Sequence, residues 1–360
     1  MEWKNIKLGG TRAAAGSGGM AAAATTAKDA GEFVSALGSG SFGMDDVLQM
    51  SFLKHNMPEK IARLKAGLDE ASKQTIDHWL RRAVLLPDDR VRENYRIKKS
   101  FLESLMTERD REWGARYFRE LPQYRKDFQL LFNKAWWPDS FLIHESDYWP
   151  SAFLFHHGLR LPVVDDKLKA YIDGKDFIDG GSYRGETALM LSKYYNPRRI
   201  FSFDISPKNA SLYRENMWRN PELAKKCQLI MMGLGREKGT LAFADTNCVS
   251  TTVLQNGDDT AVMTDLDGFV AENNLNVGFI KTDLEGFGLE ALAGMRETII
   301  KHRPILSLAI YHNFDEFFET LPALREIVGE TYTIAVAQLH PFYDINCEVA
   351  IIACPKLEST

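Results

Sequence analysis

Residues 175–187, Lys-Asp-Phe-Ile-Asp-Gly-Gly-Ser-Tyr-Arg-Gly-Glu-Thr, narrow the folds open to this chain more than any other stretch. Phe177 and Ile178 read as a short buried strand. Asp179, Gly181 and Gly185 follow as D-x-G-x-x-x-G, and Glu186, Thr187, Ala188, Leu189, Met190 and Leu191 continue as helix formers. A strand that passes through glycines straight into a helix needs a sharp backbone turn. Glycine permits that turn and leaves room for a ligand to approach the main chain. The helix amino terminus then offers unpaired N–H groups and a partial positive charge. Downstream, Ile200, Phe201 and Phe203 make a second apolar strand closed by Asp204. A carboxylate roughly 20 residues past such a turn is where a dinucleotide-type fold holds a ribose. A glycine turn alone also serves as a plain strand-to-helix connection; strand, turn, helix and acidic second strand together favour a nucleotide-type site.

The pattern that begins at Ser151 alternates strands with helices. Main-sheet strands are expected at Phe177–Asp179, Ile200–Asp204, Gln228–Met232, Val277–Asp283, Pro304–Ile310, Tyr332–Ala337 and Glu348–Ala353, with a short extra one at Thr240–Ala244. Alternation of this kind implies an α/β fold with a mostly parallel sheet covered by helices on both faces. A short polar segment joins the last two strands, which predicts an antiparallel pair. A dinucleotide dehydrogenase sheet would not end that way.

Upstream the character changes. Residues 1–43 are rich in Ala, Gly, Ser and Thr and have too little apolar surface to offset their ordering entropy, so a disordered, low-complexity tail is expected. Residues 44–145 read as helical. Ile61, Leu64 and Leu68 share one face, Ile76, Leu80, Ala83 and Val84 another, and Trp113, Tyr117 and Leu121 a third. These stripes predict a small helical core of their own. The basic residues from Arg81 to Lys99 fit a solvated helix face, or a place for an acidic substrate. Trp136, Trp137, Tyr148 and Trp149 fit a domain interface, or a platform on which a sugar stacks.

Composition removes several classes. The chain has 360 residues and a formal net charge of −5, so no general basic surface invites nucleic acid or an anionic membrane. Cys227, Cys248, Cys347 and Cys354 are scattered without a C-x-x-C, which suits a reducing compartment and argues against a zinc ribbon. No apolar run reaches the roughly 20 residues of a membrane span. The first residues carry no apolar core of the signal-peptide kind. A cytoplasmic location is the expectation.

The fourth main strand runs into Phe279-Ile-Lys-Thr-Asp-Leu-Glu-Gly286. Lys281, Asp283 and Glu285 alternate along its end and so point the same way. Charges at the carboxyl end of a central parallel strand sit where open α/β sheets bind ligands. The alternative is an internal Lys–carboxylate pair that only holds the loop. The fifth strand ends in Tyr311-His-Asn313, which makes His312 a candidate to bind substrate or accept a proton.

The strings FIDGGSYRGET, FSFDISPKN, FIKTDLEGFGLEALAGM and RPILSLAIYH, in this order and spacing, resemble the FkbM-type methyltransferases over residues 150–355. The resemblance implies a class I, Rossmann-like, seven-stranded fold over residues 146–360. It implies S-adenosylmethionine as cofactor and O-methylation of a sugar or natural-product hydroxyl. By position, Asp179, Gly181 and Gly185 match the family's cofactor turn; Ser182 and Thr187, in the same string, join the expected cofactor-binding set. Asp204 matches the acidic ribose ligand, which in the family is more often Glu in a Phe-Glu-Pro string. Tyr183 stands where the family commonly has Asn.

Methyl transfer fits this inventory. A sulfonium methyl is already activated, so the protein has to align a nucleophile and remove its proton. Lys281, Asp283, Glu285 and His312 are the catalytic candidates, with Lys281 orienting a carboxylate or holding the acceptor. The mixture of Asp, Glu and His lacks a diagnostic metal spacing, so no metal ligand is assigned. The expected partner is a small-molecule or carbohydrate acceptor. Two rival readings are a non-catalytic interaction module that keeps the fold and an NAD-dependent dehydrogenase.

Overall fold

The computed structural model describes residues 57–85, 164–243, 259–338 and 349–357. The expectations for the amino-terminal tail, for the stripe starting at Trp113, for the basic run beyond residue 85 and for the aromatic group at 136–149 lie outside these residues.

Two helices come first, α1 (Met57–Lys65) and α2 (Glu70–Leu85). Asp69 starts α2 by accepting the Ser72 N–H at 2.7 Å, an N-cap that satisfies one of the orphan donors of a first helical turn. Then follow α3 (Asp166–Ile172), β1 (Asp176–Gly180), α4 (Glu186–Tyr194), β2 (Arg199–Phe203), α5 (Pro207–Arg219), α6 (Pro221–Ala224) and β3 (Cys227–Ile230). Next come β4 (Gly233–Leu234), β5 (Gly239–Phe243), β6 (Asp259–Thr264), α7 (Leu266–Glu272), β7 (Val277–Thr282), α8 (Gly288–Ala293) and α9 (Arg296–His302). The chain closes with β8 (Ile305–Ala309), α10 (Phe314–Val328), β9 (Tyr332–Gln338) and β10 (Val349–Pro355).

The main sheet has seven strands in the order β3-β2-β1-β7-β8-β10-β9. Strands β3, β2, β1, β7 and β8 run parallel, while β10 is antiparallel to both β8 and β9. This is the class I, Rossmann-like sheet expected, with the antiparallel ending that sets it apart from a dinucleotide dehydrogenase. The extra strand foreseen near Thr240 is β5, which joins β4 and β6 in a separate three-stranded sheet.

Alternation in each strand feeds two cores. Ile178, Ile280, Leu306 and Ile351 point to one face, and Phe177, Phe279, Ile305 and Ile352 to the other. Phe177 and Phe279 sit opposite each other on β1 and β7, their rings edge to face at 5.5 Å. The stripes of α1 and α2 do not form a core of their own. Met57, Ile61, Leu64, Ile76 and Leu80 belong to the same cluster as the sheet residues, and Trp79 stacks on Phe317 of α10 at 4.1 Å. The physical reason is the edge of the sheet. Strand β9 has a partner on one side only, and the Val336 N–H donates to Ser72 Oγ of α2 at 3.0 Å. A helix laid over an edge strand covers polar groups that would otherwise template pairing with another chain.

From β1 the chain moves to β2 on one side, and from β7 to β8 on the other. The crevice beyond the carboxyl ends of β1 and β7 is therefore a topological switch point, where open α/β sheets bind ligands.

Candidate active site

The glycine turn between β1 and α4 is stitched to the neighbouring strands. The Gly181 and Ser182 N–H groups donate to the Phe203 carbonyl at 3.0 and 2.9 Å, and the Asp283 N–H donates to the Gly180 carbonyl at 3.0 Å. Gly181 has φ +74° and Gly185 φ +80°, in the left-handed region. The sequence reading attributed these glycines to close approach of a ligand; the nearest obstacle is the protein itself. A Cβ on Gly185 would lie 2.6 Å from Met217 Cε and 2.7 Å from the Tyr213 ring, both on α5. Tyr183 also has positive φ, at 48°. A bulky non-glycine residue there stores backbone strain.

Asp204 follows directly on β2 and explains part of that strain. Its Oδ2 accepts the Tyr183 N–H at 2.8 Å, its Oδ1 accepts the Ser206 N–H at 2.8 Å, and Asn209 Nδ2 reaches both oxygens at 3.3 Å. The carboxylate thus holds the turn against β2 and the start of α5. Burial pushes its pKa up to about 6, and the hydrogen bonds from Ser206, Asn209 and Tyr183 pull the other way.

Asp179 and Lys281 face each other in the sheet itself. Both are buried, and the ammonium lies 3.4 Å from Asp179 Oδ1 while donating to the Gly181 carbonyl at 2.7 Å. Burial raises the Asp179 carboxyl above its usual range, against the pull of Lys281. The Lys281 ammonium is thus engaged by the turn carbonyl and the Asp179 carboxyl.

The expected alternation of Lys281, Asp283 and Glu285 along one strand does not occur. Strand β7 ends at Thr282. Glu285 has φ 51° and Gly286 φ 100°, so the chain leaves the sheet in a tight turn. That turn, not strand pleating, brings Asp283 and Glu285 to His312, which follows β8. His312 Nε2 stands 3.0 Å from Asp283 Oδ1 and 3.9 Å from Glu285 Oε2. The first is an ion pair too oblique for an aligned hydrogen bond. The Tyr311 hydroxyl also donates to Asp283 Oδ1, at 3.2 Å.

His312 Nδ1 lies 2.7 Å from Glu316 Oε2. Sequence reasoning missed Glu316. The readable signal was Asn313-x-x-Glu316, a capping box at the start of α10, in which Asn313 Oδ1 accepts the Glu316 N–H at 2.8 Å. Burial pushes the His312 imidazole down, but the carboxylates of Asp283 and Glu316 outweigh it and hold the ring well above the usual histidine range. Burial and the charge of Asp283 push Glu285 up to about 7.

Ser182 and Thr187 are both buried beside the turn. Ser182 Oγ and Glu186 Oε1 are buried atoms with no hydrogen-bond partner among the described residues. Glu186 was a second omission. It opens α4, its Oε2 accepts the Arg184 N–H at 3.0 Å, and burial pushes its pKa up to about 7. No group of three or more His, Cys, Asp or Glu side chains among the described residues is arranged to hold a metal ion. No helix among them is long and apolar enough to cross a membrane.

Residues 179–332, from the first turn carboxylate to the start of β9, match the family model described as the methyltransferase FkbM domain. No curated protein matches the chain. Among solved structures it is similar to the methyltransferase FkbM of Methylobacillus flagellatus KT, at 17% identity and a TM-score of 0.42. That match covers 67% of this chain and 60% of the other, so the chain spans less than two thirds of that protein. It is also similar to an rRNA methylase of Streptococcus thermophilus, at 16% identity and a TM-score of 0.33, over 54% of this chain and 93% of that one. A third similarity is to a mutant of MtNAS in complex with S-adenosylmethionine, at 12% identity and a TM-score of 0.33, over 91% and 98% of the two chains.

Proposed function

We propose that this chain, whose residues 179–332 match the methyltransferase FkbM domain, moves a methyl group from S-adenosylmethionine to a hydroxyl of a sugar or other small acceptor. The observation that carries this reading is the meeting of Asp283, Glu285 and His312 beside the glycine turn, at the carboxyl ends of β7 and β8.

The residues present fit the cofactor. Carboxyls from Asp179, Glu186, Asp204, Asp283, Glu285 and Glu316 gather around the turn, against the cations Lys281, Arg184 and His312. A crevice with surplus buried negative charge suits a ligand that carries positive charge, since each is expensive to desolvate alone. Ser182 Oγ and Glu186 Oε1, buried without partners, are acceptors that a donor-bearing ligand would satisfy. Asp179, Gly181, Ser182, Gly185, Thr187 and Asp204 would hold the cofactor, with Asp204 serving ribose and turn together. When bound, S-adenosylmethionine supplies a methyl group already activated by a sulfonium.

The chain's own residues then have to orient the acceptor and take its proton. A charged imidazole has no lone pair for a proton. His312 is therefore read as a fixed cation that keeps Asp283 ionised, and Glu285 as the general base. A base with a pKa near 7 is matched to that task at neutral pH. A Glu285 oxygen would take the proton of the acceptor hydroxyl, and the cofactor, when bound, would supply the methyl group and leave as a neutral thioether.

Calorimetric titration with S-adenosylmethionine, S-adenosylhomocysteine and NAD tests the cofactor. Binding of the first two and not the third is expected; binding of NAD alone would overturn the reading. Thioether release across a panel of sugar and small-molecule hydroxyls then tests the chemistry. Glu285→Gln should lower turnover by about 10²-fold while leaving cofactor affinity within about 1 kcal/mol, the scale of a lost general base.

A further inference from the structure

Glu316 lies in the first turn of α10 and is 1% exposed. Its carboxylate makes three contacts with two residues, Gly288 and His312. Oε1 accepts the N–H of Gly288, the first residue of α8, at 3.0 Å. Oε2 accepts the His312 N–H at 3.2 Å and lies 2.7 Å from His312 Nδ1. An ionised carboxylate accepts and cannot donate, so the ring nitrogen that faces it must carry the hydrogen. The other ring nitrogen, Nε2, then lies 3.0 Å from Asp283 Oδ1 and 3.9 Å from Glu285 Oε2. The same fold that buries Glu316 closes off other orientations of the ring. His312 packs on Tyr311 at 4.1 Å between centroids, and its side chain is 7% exposed.

We propose that Glu316 is a positioning residue: it holds the proton on Nδ1 of His312, and with it the charge of the ring, and so keeps Nε2 beside Asp283 and Glu285 at the crevice. The inference rests on the reading of His312 and Glu285 given above, but it concerns the ring and not the acceptor. The charged and titratable groups that face the ring are Glu316 from α10, and Asp283 and Glu285 from the turn after β7, with Tyr311 from its own segment. A residue that only tied α8 to α10 would serve as well in the amide form, because glutamine offers Gly288 the same acceptor oxygen. It would not serve here, because an amide cannot hold the charge of the ring.

The test is nitrogen-15 NMR of the histidine side chains in the full chain, with the His312 signals assigned by their loss in His312→Asn. In the wild type, Nδ1 should be protonated at every pH at which the fold survives, and the ring should titrate above the ordinary histidine range. A wild-type ring protonated on Nε2 alone would overturn the proposal without any variant. In Glu316→Gln the titration midpoint should fall by at least 1 pH unit, roughly the tenfold in protonation that one lost charge contact is worth, and Glu316→Asp should recover part of it. Turnover in Glu316→Gln should fall about 10-fold or more through kcat, with KM for the acceptor and affinity for S-adenosylmethionine unchanged. A folded Glu316→Gln with an unmoved His312 titration would reduce Glu316 to a helix cap. If His312→Asn keeps full turnover, the reading of His312 in the reaction fails, while the NMR result still decides what Glu316 does.

Discussion

A Cβ added to Gly181 would stand 1.8 Å from the carbonyl oxygen of Asp283. The glycine turn and the turn that carries Asp283 and Glu285 are therefore in backbone contact. Gly181→Ala should destabilise the fold by about 1–3 kcal/mol, the range for overpacking a close contact. It should also weaken S-adenosylmethionine binding and turnover together. Chemical denaturation and calorimetry on the same preparation check this. Unchanged stability with unchanged affinity would mean that the two turns are not coupled.

At the opposite end of β1, Asp176 is buried and clasped by Arg198, Arg199 Nε at 3.2 Å and the Asn276 N–H at 2.8 Å. Burial alone would raise its carboxyl; the arginines and the Asn276 N–H outweigh that and hold it below the usual range. A carboxyl depressed on folding contributes stability that is present above the unfolded pKa, about 3.9, and is lost as pH falls through the folded value. Asp176→Asn should therefore cost roughly 2 kcal/mol near pH 7, in the range for hydrogen bonds to charged groups, and progressively less below about pH 4. Arg198 is half exposed, which keeps the figure modest. Urea midpoints of wild type and variant across that range measure it; a gap that widens in acid would contradict the assignment.

The sheet was legible because its information is local. Phe177, Phe279 and Ile305 sit in apolar runs bounded by turn residues, and those runs mark the strands. The turn was legible as glycine and acid spacing, but its cause was not. Gly181 and Gly185 answer to Asp283 and to Tyr213 and Met217, distant in sequence. The extrapolation of β7 through Glu285 failed because the strand ends at Thr282 and the chain turns at Glu285 and Gly286, both with positive φ. Glu316 went unread because its capping spacing looks like any helix start; only the return of His312 onto it gives the carboxylate a second use. The helices α1 and α2 were legible as amphipathic, but which surface they cover depends on an edge strand more than 200 residues away.

That edge contact separates scaffold from site. Ser72 Oγ accepts the buried Val336 N–H at 3.0 Å. Ser72→Ala leaves a backbone donor of β9 without its partner, at a cost of about 1–3 kcal/mol. Affinity for S-adenosylmethionine should be unaffected, because Ser72 lies on the far edge of the sheet from the glycine turn. Thermal unfolding and calorimetry read the two effects. A loss of affinity at temperatures where the variant is folded would place α2 in the site.

The last prediction uses the carboxyls around the turn to read the charge of the ligand. Burial raises Asp204 to about 6 and Glu186 and Glu285 to about 7. A carboxyl raised on folding contributes stability that is present below its unfolded pKa and lost as pH rises through the folded one. The ligand-free protein should therefore lose stability as pH climbs from about 4 toward 7, as these groups are forced to ionise in a buried place. A cationic ligand reverses the balance, since it binds the ionised crevice better than the protonated one. Affinity for S-adenosylmethionine should rise between about pH 5 and 8, by roughly tenfold for each carboxyl whose pKa the ligand lowers by one unit. S-adenosylhomocysteine, without the sulfonium charge, should show a shallower rise. Asp204→Asn should flatten the lower part of the curve, near pH 6, and weaken binding by roughly 2–4 kcal/mol at neutral pH, because it removes charge-assisted bonds from turn and ribose alike. Calorimetric titrations of both ligands at unit steps of pH give the slopes directly. Equal slopes for sulfonium and thioether, or affinity that strengthens in acid, would show that the surplus negative charge of the crevice does not face the cofactor.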